Sequence, residues 1–194
     1  MSADYLKGFS NFGYFPVNEN TETKYGVTAP RTKLEGAYSC SKADNKSGTE
    51  IPADDNPAWD TENEWSTTDL TVVLRQIELK ALSALCGVEF KEGETFEEGS
   101  LDNAPIVALN FRGMKRSGGY RAFRYYCAQL QDYEFTLTTR EQGGKVADVT
   151  LKFKCKTRRI DNKMRGTQDF ATSEAAEAWL ATIPTVPAAS TAGN

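Results

Sequence analysis

The segment Val149-Thr-Leu-Lys-Phe-Lys-Cys-Lys-Thr157 alternates apolar and polar side chains without a break. Successive strand residues point to opposite faces, whereas a helix repeats every 3.6 residues. Val149, Leu151, Phe153 and Cys155 therefore demand a buried face, and Thr150, Lys152, Lys154 and Lys156 a wet one. The chain is thereby committed to a sheet with one covered side, and such a strand needs partners. Tyr133-Glu-Phe-Thr-Leu-Thr-Thr139 alternates on the far side of Gly143-Gly144, so the two read as an antiparallel hairpin. Pro105 to Gly113 and Tyr120 to Leu130 flank a Ser117-Gly-Gly119 turn and read as a second.

The first half is less regular. Phe9 to Val17 reads as a strand, because Gly8, Gly13 and Pro16 oppose a helix. Lys33 to Ser41 and Glu62 to Leu74 are further strands. In the latter, Leu70, Val72 and Leu74 are apolar while Glu62, Glu64, Ser66 and Thr68 share their parity and are polar. A strand that leaves the core for solvent or a partner gives that switch, and so does a bulge. Two helices complete the reading. Ile77, Ala81, Leu82 and Leu85 share one face before a Gly87 stop. Thr172 or Ser173 caps a second helix through Ala181, with Pro184 beyond it. The fold class expected is mainly β, with one short flanking helix, a second C-terminal helix and long loops. Residues 1–184 form one domain, with 41–60 as a long loop, and 185–194 form a C-terminal arm or flexible tail. Lys91 to Ala104 is the other long connection.

Composition narrows the chemistry. The 194 residues contain no histidine, which removes Ser-His-Asp and Cys-His catalysis and histidine metal sites. Cys40, Cys86, Cys127 and Cys155 form no Cys-x-x-Cys pair, so zinc-ribbon and thioredoxin spacings are absent. The opening residues lack a signal-peptide core, and no stretch is long and apolar enough to span a membrane. Four reduced thiols in a soluble protein made in the cytoplasm is the expectation, with no membrane insertion. The net charge of −4 hides a division: residues 1–104 hold 9 Lys+Arg against 19 Asp+Glu, and residues 105–194 hold 14 against 8. Such asymmetry marks complementary surfaces on one molecule, or simply mixes within one fold.

No catalytic constellation emerges, and no cofactor or metal is expected. Asp54, Asp55, Asp60, Glu62 and Glu64 are dense carboxylates, but they lack the EF-hand spacing and read as a solvated acidic loop. Glu89 to Asp102 is a second acidic run. Lys152, Lys154, Lys156, Arg158 and Arg159 line one strand face, near Arg112, Lys115, Arg116, Arg121 and Arg124 with Tyr125 and Tyr126 interleaved. That face suits a solvated sheet surface, acidic residues of a neighbouring subunit, or nucleic acid. Gly113 to Gly119 lacks the Walker ending. Trp59, Trp65 and Trp179 suit core or interface anchoring.

Taken in order, four segments carry a resemblance. They are Gly8-Phe-Ser-Asn-Phe-Gly-Tyr-Phe-Pro-Val17, Ile51-Pro-Ala-Asp-Asp-Asn-Pro57, Leu79-Lys-Ala-Leu-Ser-Ala-Leu-Cys-Gly87, and the run from Ala104-Pro-Ile-Val-Ala-Leu-Asn-Phe-Arg-Gly113 through Tyr120-Arg-Ala-Phe-Arg-Tyr-Tyr-Cys127. Together they resemble the major tail protein family of long-tailed, siphovirus-type bacteriophages, across residues 5–160. The resemblance implies an antiparallel β-sandwich or barrel-like tail-tube subunit. It also implies a structural role without enzymatic activity: copies close into rings, six to a ring, and rings stack into a non-contractile tube in the virion tail. Its implied partners are other copies of itself, a tape-measure protein in the lumen, tail terminator and distal tail or baseplate proteins, and genomic DNA in passage without sequence-specific binding. By the same resemblance 41–60 is a ring-stacking loop. Asp54, Asp55, Trp59, Glu62 and Glu64 are stacking or lumen candidates, and Lys152, Lys154, Lys156 and Arg158 are basic inter-subunit candidates. An acidic lumen repels DNA phosphates. The alternative function is a monomeric β-sandwich module binding carbohydrate or nucleic acid.

Overall fold

The computed structural model describes residues 5–53, 56–93, 95–99, 102–136, 148–184 and 186, and for 47–65 the backbone alone. The mainly β expectation holds. The strands are β1 (Leu6–Asn20), β2 (Tyr25–Val27), β3 (Thr32–Lys33), β4 (Ala37–Ala53), β5 (Asn56–Leu74), β6 (Ile106–Lys115), β7 (Tyr120–Thr136), β8 (Asp148–Lys156) and β9 (Arg165–Phe170). Helices α1 (Leu79–Cys86) and α2 (Ser173–Ala181) accompany them. All nine strands belong to one sheet in the order β2-β1-β6-β7-β8-β5-β4, with β3 also on β1 and β9 also on β7. Every ladder is antiparallel.

The sheet curls on itself without closing. Phe12 of β1 meets Phe153 of β8 across the interior, ring centroids 6.4 Å apart, although two strands, β6 and β7, separate them in the sheet. The alternating set Leu151, Phe153 and Cys155 faces this interior with Leu70, Val72 and Leu74 of β5 and Leu109 of β6. Helix α1 adds Ala81, Leu82 and Leu85 to the same core. Its end is set by Gly87, which adopts φ +78° where a Cβ would collide with the Asn103 carbonyl. The opposite face of β6 and β7 carries Ala108, Asn110, Ala122 and Arg124, which are buried although they point away from the core. α2 packs on these strands and on β9.

Several boundaries differ from the sequence reading. The expected loop 41–60 is instead ladder: β4 pairs with β5 from Ala37↔Leu74 to Ala53↔Asn56. Its sequence is mostly polar, with Ile51 and Trp59 as isolated large apolar residues, so the apolar alternation that signals strands is missing. The single strand expected over Lys33–Ser41 is broken at Gly36, which turns at φ +77° while its carbonyl accepts the Arg75 N–H. Tyr120–Leu130 and Tyr133 onward, read as separate strands, are one strand. A bulge between Leu130 and Asp132 lets Leu130 and Tyr133 both pack against the core. Residues 137–147, including the Gly143-Gly144 turn, lie outside the described residues. The Ser117-Gly-Gly119 turn is as expected, with Gly118 and Gly119 both at positive φ. Strands β2 and β9 carried no signal in the sequence.

Candidate assembly site

The longest feature is an arm. β5 pairs with β8 only from Thr68↔Cys155 to Leu74↔Val149, yet its ladder with β4 continues out to Asn56. Beyond Thr68, therefore, residues 45–67 form a two-stranded hairpin with no other ladder among the described residues. At about 3.3 Å per residue it extends about 27 Å from Asn45 to Ala53. The polar residues of β5 belong to the projecting part and the apolar ones to the body. Both physical readings of the parity switch are realised, because a bulge at Ser66 also shifts the register between Asn45↔Thr67 and Lys46↔Trp65. Trp59, Glu62 and Glu64 lie on the arm, with Glu62 opposite Thr49 and Glu64 opposite Ser47 in register. Asp54 and Asp55 lie outside the described residues.

The root of the arm is a polar junction with no forewarning in the sequence. Asp44 is the register partner of Thr68, the last β5 residue that β8 supports. The buried Thr68 hydroxyl donates to Asp44 Oδ1 at 2.7 Å, Lys42 Nζ lies 2.5 Å from Oδ2, and Arg165 Nη1 of β9 lies 3.3 Å from Oδ1. On the next pair outward, Asn45 Nδ2 donates to Asp69 Oδ2 at 2.9 Å and Thr67 Oγ1 at 3.1 Å.

A second surface is the gap where β1 and β4 approach within 8 Å between Cα atoms but form no ladder. Here a groove of about 450 Å3 opens between Leu6 and Phe9 of β1 and Tyr38 and Cys40 of β4, floored by Phe111 and Phe123. Tyr5, Leu6, Tyr38 and Met114 are exposed large side chains. Among the described residues the edge of β4 away from β5 carries no ladder, and a long free edge is a template for another strand.

The basic candidates separate. Lys152, Lys154 and Lys156 share the outer face of β8 as expected. Lys152 pairs with Asp132 and with Glu134 of β7, whereas Lys154 and Lys156 form no ion pair among the described residues. Arg158 does not share their face, because β8 ends at Lys156. Its side chain is only 1% exposed, its Nε and Nη2 donate to both oxygens of Asp161, and its guanidinium lies 3.9 Å from the Tyr126 ring centroid. It is a structural residue of the β8–β9 turn. Other arginines are similarly committed inward. Arg124 Nη2 donates to the carbonyls of Trp179 and Thr182 at the C-terminal end of α2, beneath the Trp179 ring. Arg112 holds the start of α2 through Ser173 and Glu177.

Titration behaviour points to structure. Burial pushes the Cys40, Cys86 and Cys155 thiols up to about 12 and Cys127 to about 11, so none is a thiolate nucleophile near neutrality. Among the described residues no group of three His, Cys, Asp or Glu is placed to hold a metal ion, and no helix is long and apolar enough to cross a membrane. Three carboxyls are held below the usual range by hydrogen bonds from neighbouring donors: Asp44 by the Lys42 ammonium and the Thr68 hydroxyl, Asp161 by the Arg158 guanidinium, and Asp169 to about 2 by Arg121 and Lys115. A carboxyl depressed in the folded state stabilises it above its unfolded pKa of about 3.9 and loses that contribution as pH falls through the folded value. The urea midpoint is therefore expected to be flat from pH 7 to about 5 and to fall between pH 4 and 2. Asp169 is partly exposed and solvent-screened, so Asp169→Asn should remove only a small part of the drop. A midpoint unchanged at pH 2.5 would refute these assignments.

No protein-family model matches the chain, and no curated protein matches it.

Proposed function

We propose that this chain is a structural tail-tube subunit of a bacteriophage, self-assembling into stacked rings, six copies to a ring, through which the genome is delivered. One observation carries the reading beyond the resemblance of the four sequence segments: the β4–β5 hairpin runs on for about 27 Å beyond the last β5 residue that β8 supports. A projecting polar arm at one place and a free sheet edge at another suit heterologous contacts, in which one surface meets a different surface on the next copy. The acidic residues Asp54, Asp55, Glu62 and Glu64 belong in sequence to the arm, and Lys154 and Lys156, which form no ion pair among the described residues, are cations suited to meet them. The tape-measure protein, the terminator and distal tail proteins, and passing DNA follow as partners from the same reading, as does residence in the virion.

Negative-stain microscopy of the purified protein across concentration and salt tests it. Rings or rods of uniform width are expected. A strict monomer under every condition overturns the proposal, and a monomer that saturates with carbohydrate or nucleic acid establishes the binding-module alternative.

A further inference from the structure

The arm has a fulcrum. Up to the row Asp44–Thr68–Cys155–Ala128, four strands hold one another laterally, and Thr68, Cys155 and Ala128 are fully buried. One residue farther out, β8 no longer supports β5, and the bulge at Ser66 follows at once. A bulge bends the ladder and weakens its resistance to further bending, so a two-stranded arm rooted there has no backbone reason to keep one direction. Asp44 supplies the missing constraint. Its side chain bonds to Lys42 on its own strand and to two other strands at once, through Thr68 on β5 and Arg165 on β9. The contact with Arg165 matters most, because β9 is laddered to β7 and has no ladder with either arm strand. Asn45 braces the opposite face of the same junction through Thr67 and Asp69, both of which belong to β5 and so move with the arm or its stem.

We infer that Asp44 is the positioning residue that fixes the direction of the β4–β5 arm relative to the body, by tying the arm root to Arg165 of β9. The direction is a property of the single chain, so it stands whether or not rings form. In an assembling subunit it decides where the arm tip meets the next copy. Without the tie, the arm stays paired as a hairpin but samples a wider cone, and the ordering cost then falls on each docking event.

Distance measurement on the monomer tests this directly. Nitroxide-bearing unnatural residues at Thr49 on the arm and Glu174 on α2 leave the four free thiols untouched. Pulsed dipolar spectroscopy is expected to give one narrow distance distribution for the parent protein, at least twice that width for Asp44→Ala, and a similar broadening for Arg165→Met. Asp44→Glu, which keeps the carboxylate, should restore most of the narrowness. Hydrogen-exchange protection of Leu70–Leu74 and Val149–Phe153 should be unchanged, which separates arm motion from loss of the body. An unchanged width in Asp44→Ala overturns the inference. Should that variant fail to fold, Asp44→Asn, which keeps an acceptor for Thr68 but loses the charge facing Arg165, is held to the same criterion.

Discussion

Replacing residues 46–66 by Asn-Gly is expected to leave a folded monomer that no longer forms rods. The excision is defined by the register: Asn45 and Thr67 are Cα partners, so a two-residue turn joins them as an ordinary hairpin. Of the residues to be removed, Lys46 and Ser66 have described side chains and neither belongs to the core cluster, and β5 keeps its whole ladder with β8 from Thr68 to Leu74. The thermal midpoint should therefore move by only a few degrees, corresponding to roughly 1 kcal/mol or less. Assembly should respond far more strongly. Loss of a contact region worth about 2 kcal/mol raises the concentration needed for association about 30-fold, and the arm is a larger surface than one hot-spot residue. Sedimentation velocity and negative-stain images at matched concentration read the outcome. Rods of normal abundance would exclude the arm from assembly, and a collapsed body would show that it serves the fold instead. A milder variant, Asp54→Lys with Asp55→Lys, isolates the charge contribution: it should impair rod growth and do so less at high salt.

The charge division looks different once partners are assigned. Much of the positive excess after residue 104 is spent inside the subunit: Arg112 on Glu177, Arg121 and Lys115 on Asp169, Lys152 on Asp132 and Glu134, and Arg158 on Asp161. Two pairs cross between the halves, Arg165 with Asp44 and Arg75 with Asp148. The split in sequence is thus partly a device for holding β9, α2 and the arm root to the sheet. What is left for a neighbouring copy is narrower than the arithmetic suggests: among the described residues after 104, Arg116, Lys154, Lys156 and Arg159 reach the surface without an ion pair.

Legibility follows from how each element is stabilised. β8 was readable because one face is core and the other water, which writes itself as strict alternation. The β6–β7 turn was readable because only glycine is at ease at the positive φ of Gly118 and Gly119. The α1 stop at Gly87 and the α2 cap at Thr172, whose hydroxyl accepts the Ala175 N–H, are equally local. The arm was hidden because its sequence is mostly polar and its few apolar residues do not alternate regularly, so periodicity had nothing to report. The break in parity at Thr68 still marked where it leaves the core. The root junction was not legible at all: Asp44 and Arg165 are 121 residues apart and meet only because of sheet order. Arg158 misled for a related reason. Parity placed it with Lys152, Lys154 and Lys156, but parity means nothing once the strand has ended.

Arg158 then provides the largest expected effect on stability. Its guanidinium lies between the rings of Tyr126 at 3.9 Å and Tyr25 at 5.5 Å, while Nε and Nη2 each approach an Asp161 oxygen at 2.7 Å. Tyr25 in turn donates its hydroxyl to the Tyr126 carbonyl at 2.6 Å, so the side chain fills the centre of a packed group joining β2, β7 and the β8–β9 turn. Arg158→Ala removes the stacked plane, opens a void, and leaves the half-buried Asp161 carboxylate without its bidentate partner. Removing one partner of a buried pair is strongly destabilising, and about 3 kcal/mol is expected from urea unfolding. Arg158→Lys should recover less than half, because an ammonium makes neither the two-pronged bond nor the flat contact. Arg158 also leaves Nη1 without a hydrogen-bond partner, a standing cost in the native protein. For that reason Arg158→Met with Asp161→Leu, which removes both charges and keeps the volume, should lie well above Arg158→Ala in stability. A loss below about 1 kcal/mol in Arg158→Ala would mean that the pair is hydrated and that the packed aromatic group stands without it.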